Sequence, residues 1–209
     1  MPVVTSSLLL AETLAARLCH DIASPLGSLM GVLEVAREGD SEALELAVET
    51  SQRLGQRLRL LRAAWGAQPG PLGVAELPEL AKGLPGGHRI QIDLAGLALS
   101  PDFTPESGRL VLNLLLLAAE ALPGGGTLFL SGAARREVLL RVEGPRAAWP
   151  AGLAGFLVDP DSAWAALGDP RTLQAPLTAL LAAQAGLRLG LLLPGGATTG
   201  VPPLMLDLG

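Results

Sequence analysis

In the first third of the chain the apolar positions keep a helical step. Leu18, Ile22, Pro25, Leu29, Val32 and Ala36 recur at intervals of four and three, which aligns them on one helix face. Ser6 or Ser7 is expected to cap this helix, and Glu38-Gly39-Asp40 to end it. Ser41 is expected to cap a second helix, with Leu44, Val48, Ser51, Leu54, Leu58, Leu61 and Trp65 on its seam and Gly66 at its close. Pro69, Gly70 and Pro71 then read as a linker. Two helices joined by a tight loop form a hairpin whose apolar stripes stay partly in water. Pairing two hairpins into a four-helix bundle covers them, so a homodimer is predicted.

Beyond residue 66, short apolar runs alternate with turns. Ala75–Gly83 reads as a short helix and Arg89–Leu94 as a half-buried strand with Ile90, Ile92 and Leu94 inward. Pro105–Leu122 is a strongly apolar helix, and Thr127–Ser131 and Glu137–Glu143 are strands of a hairpin. Ala151–Leu167 is irregular with short helical pieces, Thr172–Ala185 is a helix, and Leu187–Leu193 and Leu204–Leu208 are closing strands. The pattern predicts an α+β fold: a helical hairpin over residues 1–68, then an α/β sandwich over 72–209 with helices on one face of a sheet. Trp65, Trp149 and Trp164 read as packing residues.

Composition narrows the function classes. With 209 residues, 49% hydrophobic, the chain is no disordered segment, and its 26 glycines and 17 prolines follow no collagen period. A net charge of -5 argues against nucleic acid as a partner. Cys19 alone forms no internal disulfide, and His20 and His88 stand too far apart in sequence to suggest a zinc site. Met1–Leu10 has no cationic segment of a signal peptide, and the uncharged stretches are too short or too interrupted to span a bilayer. A cytoplasmic protein with no membrane partner is expected.

The chemistry concentrates in Leu18-Cys19-His20-Asp21-Ile22-Ala23-Ser24-Pro25-Leu26. His20 lies about 200° around the helix from Leu18 and from Ile22, so it points away from the seam. Its stripe continues through Arg17, Ser24, Gly27 and Gly31, small or polar residues that let a partner surface approach the imidazole. A solvated surface histidine is the plain alternative. Asp21 changes that weighting, because an adjacent carboxylate fixes the imidazole tautomer and favours a nucleophilic nitrogen. Pro25 costs a helix interior about 3 kcal/mol and a hydrogen bond, which calls for a reason. Arg17 lies one turn before His20, where a solvated arginine is the plain reading. Leu58 lies as far after Gly39 as His20 lies before it, so Arg57 and Arg59 should stand at the height of His20. With Arg53 and Arg62 they form either a docking face for an acidic partner or an ordinary solvated face.

His20-Asp21-x-x-Ser24-Pro25-Leu26 resembles the phosphoacceptor box of sensor histidine kinases. The wider string from Leu14 to Val35 more closely resembles the ChpT-type histidine phosphotransferases of alphaproteobacteria, with Met30 where that family often has Asn. The resemblance implies a dimerising hairpin followed by a degenerate kinase-like ATP-binding domain. It also implies His20 as phosphoacceptor, Asp21 as its orienting acid, and Arg17, Ser24, Pro25, Gly27, Arg57 and Arg59 as the phosphoryl and receiver-docking surface. Against a kinase domain, the magnesium position falls on Leu117, which has no oxygen ligand. The adenine motif falls near Glu143-Gly144-Pro145-Arg146-Ala147, where one glycine remains. The implied partners are receiver domains of a hybrid histidine kinase and of response regulators, with Mg²⁺ held by the receiver and no cofactor held by this chain. The competing readings are a true ATP-dependent histidine kinase and a non-catalytic module that docks a receiver or kinase.

Overall fold

A computed structural model describes residues 3–67, 70–97, 102–132, 136–192 and 200–208. The expectations that touch Met1, Pro69, Leu193 and Gly209 lie outside these residues.

Two long helices open the chain. α1 (Val3–Ala36) is already helical at Val3, so neither Ser6 nor Ser7 caps it. Apolar residues continue the helical pattern upstream of both serines, and neither has a break to cap. Gly39, at φ 96°, supplies the left-handed turn that a side chain would resist. The cap of α2 (Ser41–Trp65) is Asp40, one residue before the expected Ser41, its carboxylate accepting from the backbone N–H groups of Glu42 and Ala43 at 2.9 and 3.0 Å. Gly66 closes α2, donating to the Arg62 carbonyl.

The two helices pack side by side, but the seam of α2 is offset from the one its leucines suggest. Ala43, Ala47, Leu60 and Ala64 are buried, whereas Leu44, Val48 and Leu58 are exposed; Leu61 is buried as expected. The alanines allow close approach of α1, and the bulkier neighbours are turned outward. On α1 the expected seam residues Ile22, Pro25, Leu29, Val32 and Ala36 are half-buried, but Leu18, also expected there, is exposed, as are Leu26, Met30 and Leu33.

The rest is a five-stranded sheet with helices on one face. After α3 (Leu77–Ala81) come β1 (Ile90–Asp93), α4 (Pro105–Glu120), β2 (Gly126–Gly132) and β3 (Glu137–Glu143). Then follow α5 (Leu153–Val158), α6 (Pro160–Ala165), α7 (Gln174–Gln184), β4 (Arg188–Leu191) and β5 (Leu204–Asp207). The order is β1-β2-β3-β5-β4, with β1 parallel to β2, as α4 crosses between them, and the other pairs antiparallel. Leu128, Leu130, Val138, Leu140, Val142, Leu204 and Leu206 form the covered face. All the expected helices and strands in this region are present, with ends within two residues of those expected; β2 is longer by one residue at each end, and the others are equal or shorter. Trp65 and Trp149 are half-buried, each with its indole N–H bonded, but Trp164 is 39% exposed and packs less than expected.

A buried polar cluster joins hairpin to sheet layer. Asn113 of α4 is fully buried; its Oδ1 accepts from Trp65 Nε1 at 3.1 Å and from Gln174 Nε2 at 3.0 Å. Its Nδ2 donates to the Ala64 and Arg109 carbonyls, both at 2.9 Å. Gln174 also donates to Thr178 Oγ1, which in turn donates to the Gln174 carbonyl. Among the described residues no fully buried side-chain nitrogen or oxygen lacks a partner, so burial costs little and the joint is directional.

Candidate functional site

His20 sits on the outward face of α1 with its side chain 74% exposed. The next residue behaves in the opposite way: the Asp21 side chain is 10% exposed, tucked between α1, α2 and the sheet layer. Pro25 explains part of the local geometry. It has no N–H to give the Asp21 carbonyl four residues earlier, so the helical ladder is interrupted directly behind the histidine.

Asp21 is held from both sides. Its Oδ2 accepts from Arg57 Nη2 at 2.7 Å, and its Oδ1 from Arg17 Nε at 3.1 Å. The same Oδ1 lies 3.4 Å from His20 Nδ1. Arg17 reaches onward, with Nη2 donating to Glu120 Oε1 at 2.7 Å and Nη1 to the Pro170 carbonyl at 2.9 Å. Arg57 also donates to the Gly83 carbonyl at 3.3 Å. Gly83 can come this close because it has no side chain: a Cβ would meet the Gln56 carbonyl oxygen and lie 2.9 Å from Leu60 Cβ.

The charges respond to this packing. Burial alone would raise the Asp21 carboxyl, but Arg17 and Arg57 together hold it below the usual carboxylate range. Burial pushes the Glu120 carboxyl up, with Arg17 opposing. Burial works against the Arg17 guanidinium too, yet its acidic partners more than offset it. Arg57 is lowered by burial, with Asp21 opposing. Because Asp21 is ionised and accepts only, a hydrogen bond at this contact requires the His20 nitrogen facing it to carry the proton, which in a neutral ring leaves the lone pair on Nε2.

His20 and Asp21 stand at the mouth of a groove of about 1020 Å³ between hairpin and sheet layer. Ser24, Pro25 and Ser28 line it from α1, Arg53 and Arg57 from α2, and Lys82, His88 and Arg89 from the other wall. The basic groups outnumber the single acid, so the groove suits an acidic visitor.

The sequence profile of the histidine phosphotransferase C-terminal domain matches residues 74–196, more than half of the chain. The chain belongs to the histidine phosphotransferase family. Protein phosphotransferase ChpT of Brucella abortus (strain 2308) is 31% identical over 148 residues, 61% of this chain and 63% of that protein, so the match spans just under two thirds of the curated relative. A solved structure described as a bacterial phosphotransferase at 1.7 Angstrom superposes with a TM-score of 0.73 at 23% identity, covering 96% of each chain. Hairpin and sheet layer together therefore share that fold.

The histidine phosphotransferase profile begins after α2, so the residues around His20 must be weighed by their own geometry. The structure brings His20, Asp21, Ser24, Pro25 and Arg57 together at the groove. Arg17 lies behind Asp21 with its donors engaged by Asp21, Glu120 and the Pro170 carbonyl, instead of being presented to a visiting phosphoryl group. Gly27 is exposed with open space around it. Arg59 is exposed and does not line the groove. His88, expected as an exposed turn residue, is exposed, and it also lines the groove. Glu120, Lys82, Gly83 and Arg89 were not singled out from the sequence, because no local pattern links them to His20.

Proposed function

We propose that this chain is a histidine phosphotransferase that shuttles a phosphoryl group between receiver-domain aspartates through a phosphohistidine at His20. The observation that carries the reading is a solvent-facing imidazole whose inner nitrogen meets a carboxylate clamped by two arginines. The lone pair of Nε2 attacks the phosphorus of an aspartyl phosphate, and the receiver carboxylate leaves with the electron pair of the broken P–O bond. A second receiver's carboxylate reverses the step, breaking the P–N bond. Asp21 faces the positive charge that the ring gains, so no proton need leave during transfer. Catalysis of this kind rests on positioning and charge neutralisation, which a clamped acid provides.

The Mg²⁺ of the reaction belongs on the receiver in this reading. Among the described residues no group of three or more acidic, His or Cys side chains is arranged to hold a metal ion. Leu117 is fully buried and offers no oxygen, and Asn113 is committed to Trp65 and Gln174. These donor sets do not fit a magnesium nucleotide, which supports transfer over autophosphorylation. Two functional units, 1–68 and 72–209, serve the reaction as phosphoacceptor stem and sheet layer.

A homodimer completes the assembly. Leu26, Met30 and Leu33 on α1, with Leu44 and Val48 on α2, leave an apolar surface that Met30 at 59% and Leu44 at 55% exposure typify. A second hairpin covers it as a four-helix bundle. No described helix is long and apolar enough to cross a membrane.

The test is incubation with a phosphorylated receiver domain and Mg²⁺. Label that transfers to the chain, is lost in acid, survives in base and disappears in His20→Ala supports the reading. Binding of the receiver without label overturns it in favour of a docking module.

A further inference from the structure

Glu120 closes α4, 103 residues from Arg17 in sequence, and belongs to the sheet layer. Its carboxylate is nevertheless one guanidinium away from the His20 site. Glu120, Arg17, Asp21 and Arg57 form a chain of alternating charge, each side chain between 10% and 21% exposed. At Asp21 Oδ1 two donors compete: Arg17 Nε at 3.1 Å and His20 Nδ1 at 3.4 Å. A guanidinium whose whole charge fell on Asp21 would draw that oxygen away from the ring. Glu120 prevents this by engaging the other edge of the fork, while the Pro170 carbonyl fixes the fork's plane. Arg57 anchors the second oxygen and is itself tied to Gly83.

We propose that Glu120 is a positioning residue for phosphotransfer: by sharing Arg17 it holds Asp21 Oδ1 against His20 Nδ1 and so leaves Nε2 as the nucleophile. The inference rests on the phosphotransfer reading, since a fixed tautomer matters to function only if His20 is the nucleophile. It gives the sheet layer a part in the chemistry by way of Arg17 and Asp21.

The experiment uses the full chain with ¹⁵N-labelled histidine, whose only two imidazoles are His20 and His88. Nitrogen shifts and couplings read the His20 tautomer, with His20→Ala assigning the signals. In the wild type the Nδ1–H form dominates. Glu120→Ala shifts His20 toward the Nε2–H form favoured by a free imidazole. It also lowers the transfer rate at saturating phosphorylated receiver about tenfold, with the half-saturating concentration unchanged. Glu120→Gln keeps an acceptor of the same reach and recovers most of both. A folded Glu120→Ala chain with the wild-type tautomer overturns the proposal. Should that variant not fold, Glu120→Asp, one carbon short of Arg17 Nη2, weakens the same link, and an unchanged tautomer there is equally fatal. A tautomer shift in a chain that never gains phosphohistidine supports the positioning link while overturning the reaction assigned to the site.

Discussion

Asp21 Oδ2 and Arg57 Nη2 meet at 2.7 Å across the hairpin, joining the residue beside the histidine to the middle of the antiparallel helix. The contact spends one oxygen of Asp21 on structure, and the other is shared between Arg17 Nε and the ring. Asp21→Asn removes the charge from both tasks. Transfer should fall about a hundredfold, the scale of losing a positioned acid–base group. Stability should drop by about 2 kcal/mol, because two half-buried arginines lose their anion. Single-turnover kinetics and urea unfolding measure the two effects.

The same residues set a pH dependence. The Asp21 carboxyl lies below its ordinary value in the fold, so its stabilising contribution is complete above about pH 4 and is lost as pH falls through the depressed value. The Glu120 carboxyl is raised, so folding favours its protonated form, and that advantage is lost as pH rises through the raised value. The stability gap between wild type and Asp21→Asn should therefore widen from about pH 3 to pH 5. Glu120→Gln should gain on the wild type over the interval just above. Denaturation midpoints across this range decide; parallel curves would contradict both.

Pro25 leaves the Asp21 carbonyl without its helical donor. Pro25→Ala supplies that N–H and should stabilise the chain, by up to about 3 kcal/mol, while slowing transfer as the histidine is re-aimed. A rise in Tm together with a lower rate is expected; a fall in Tm would mean the helix is built around the proline.

Gly83 lets its carbonyl reach Arg57. Gly83→Ala forces a methyl against the Gln56 carbonyl and Leu60, and should cost about 1–3 kcal/mol in thermal unfolding. Serine at this position should do the same.

The open apolar stripe gives the last prediction. Met30→Asp with Leu44→Asp should turn the proposed dimer into a monomer by light scattering without loss of helical circular dichroism. A wild-type chain already monomeric at micromolar concentration would remove the bundle.

Much of this could be read in the sequence, for identifiable reasons. Periodicity located α1, α2 and α4, and reflection about Gly39 put Arg57 level with His20, because antiparallel helices rise equally per residue. The α2 seam holds at Leu54, Leu61 and Trp65 but lies one position earlier than expected at Ala43 and Ala47, because leucines outweigh alanines in any apolar pattern, yet the alanines are what allow close packing. The start of α1 was missed because Ser6 and Ser7 are good caps in isolation, and capping preference cannot show that a helix is already under way. Glu120 was invisible because its partner is brought near only by the packing of α4 against the hairpin.

The fully satisfied cluster of Trp65, Asn113 and Gln174 makes the junction between stem and sheet layer stiff. Pivoting there would strand buried amides without partners, so the two halves travel as one piece. In the proposed relay, a carrier built like this would not wait on its own rearrangement, and the tempo would fall to how quickly its visitors arrive and let go.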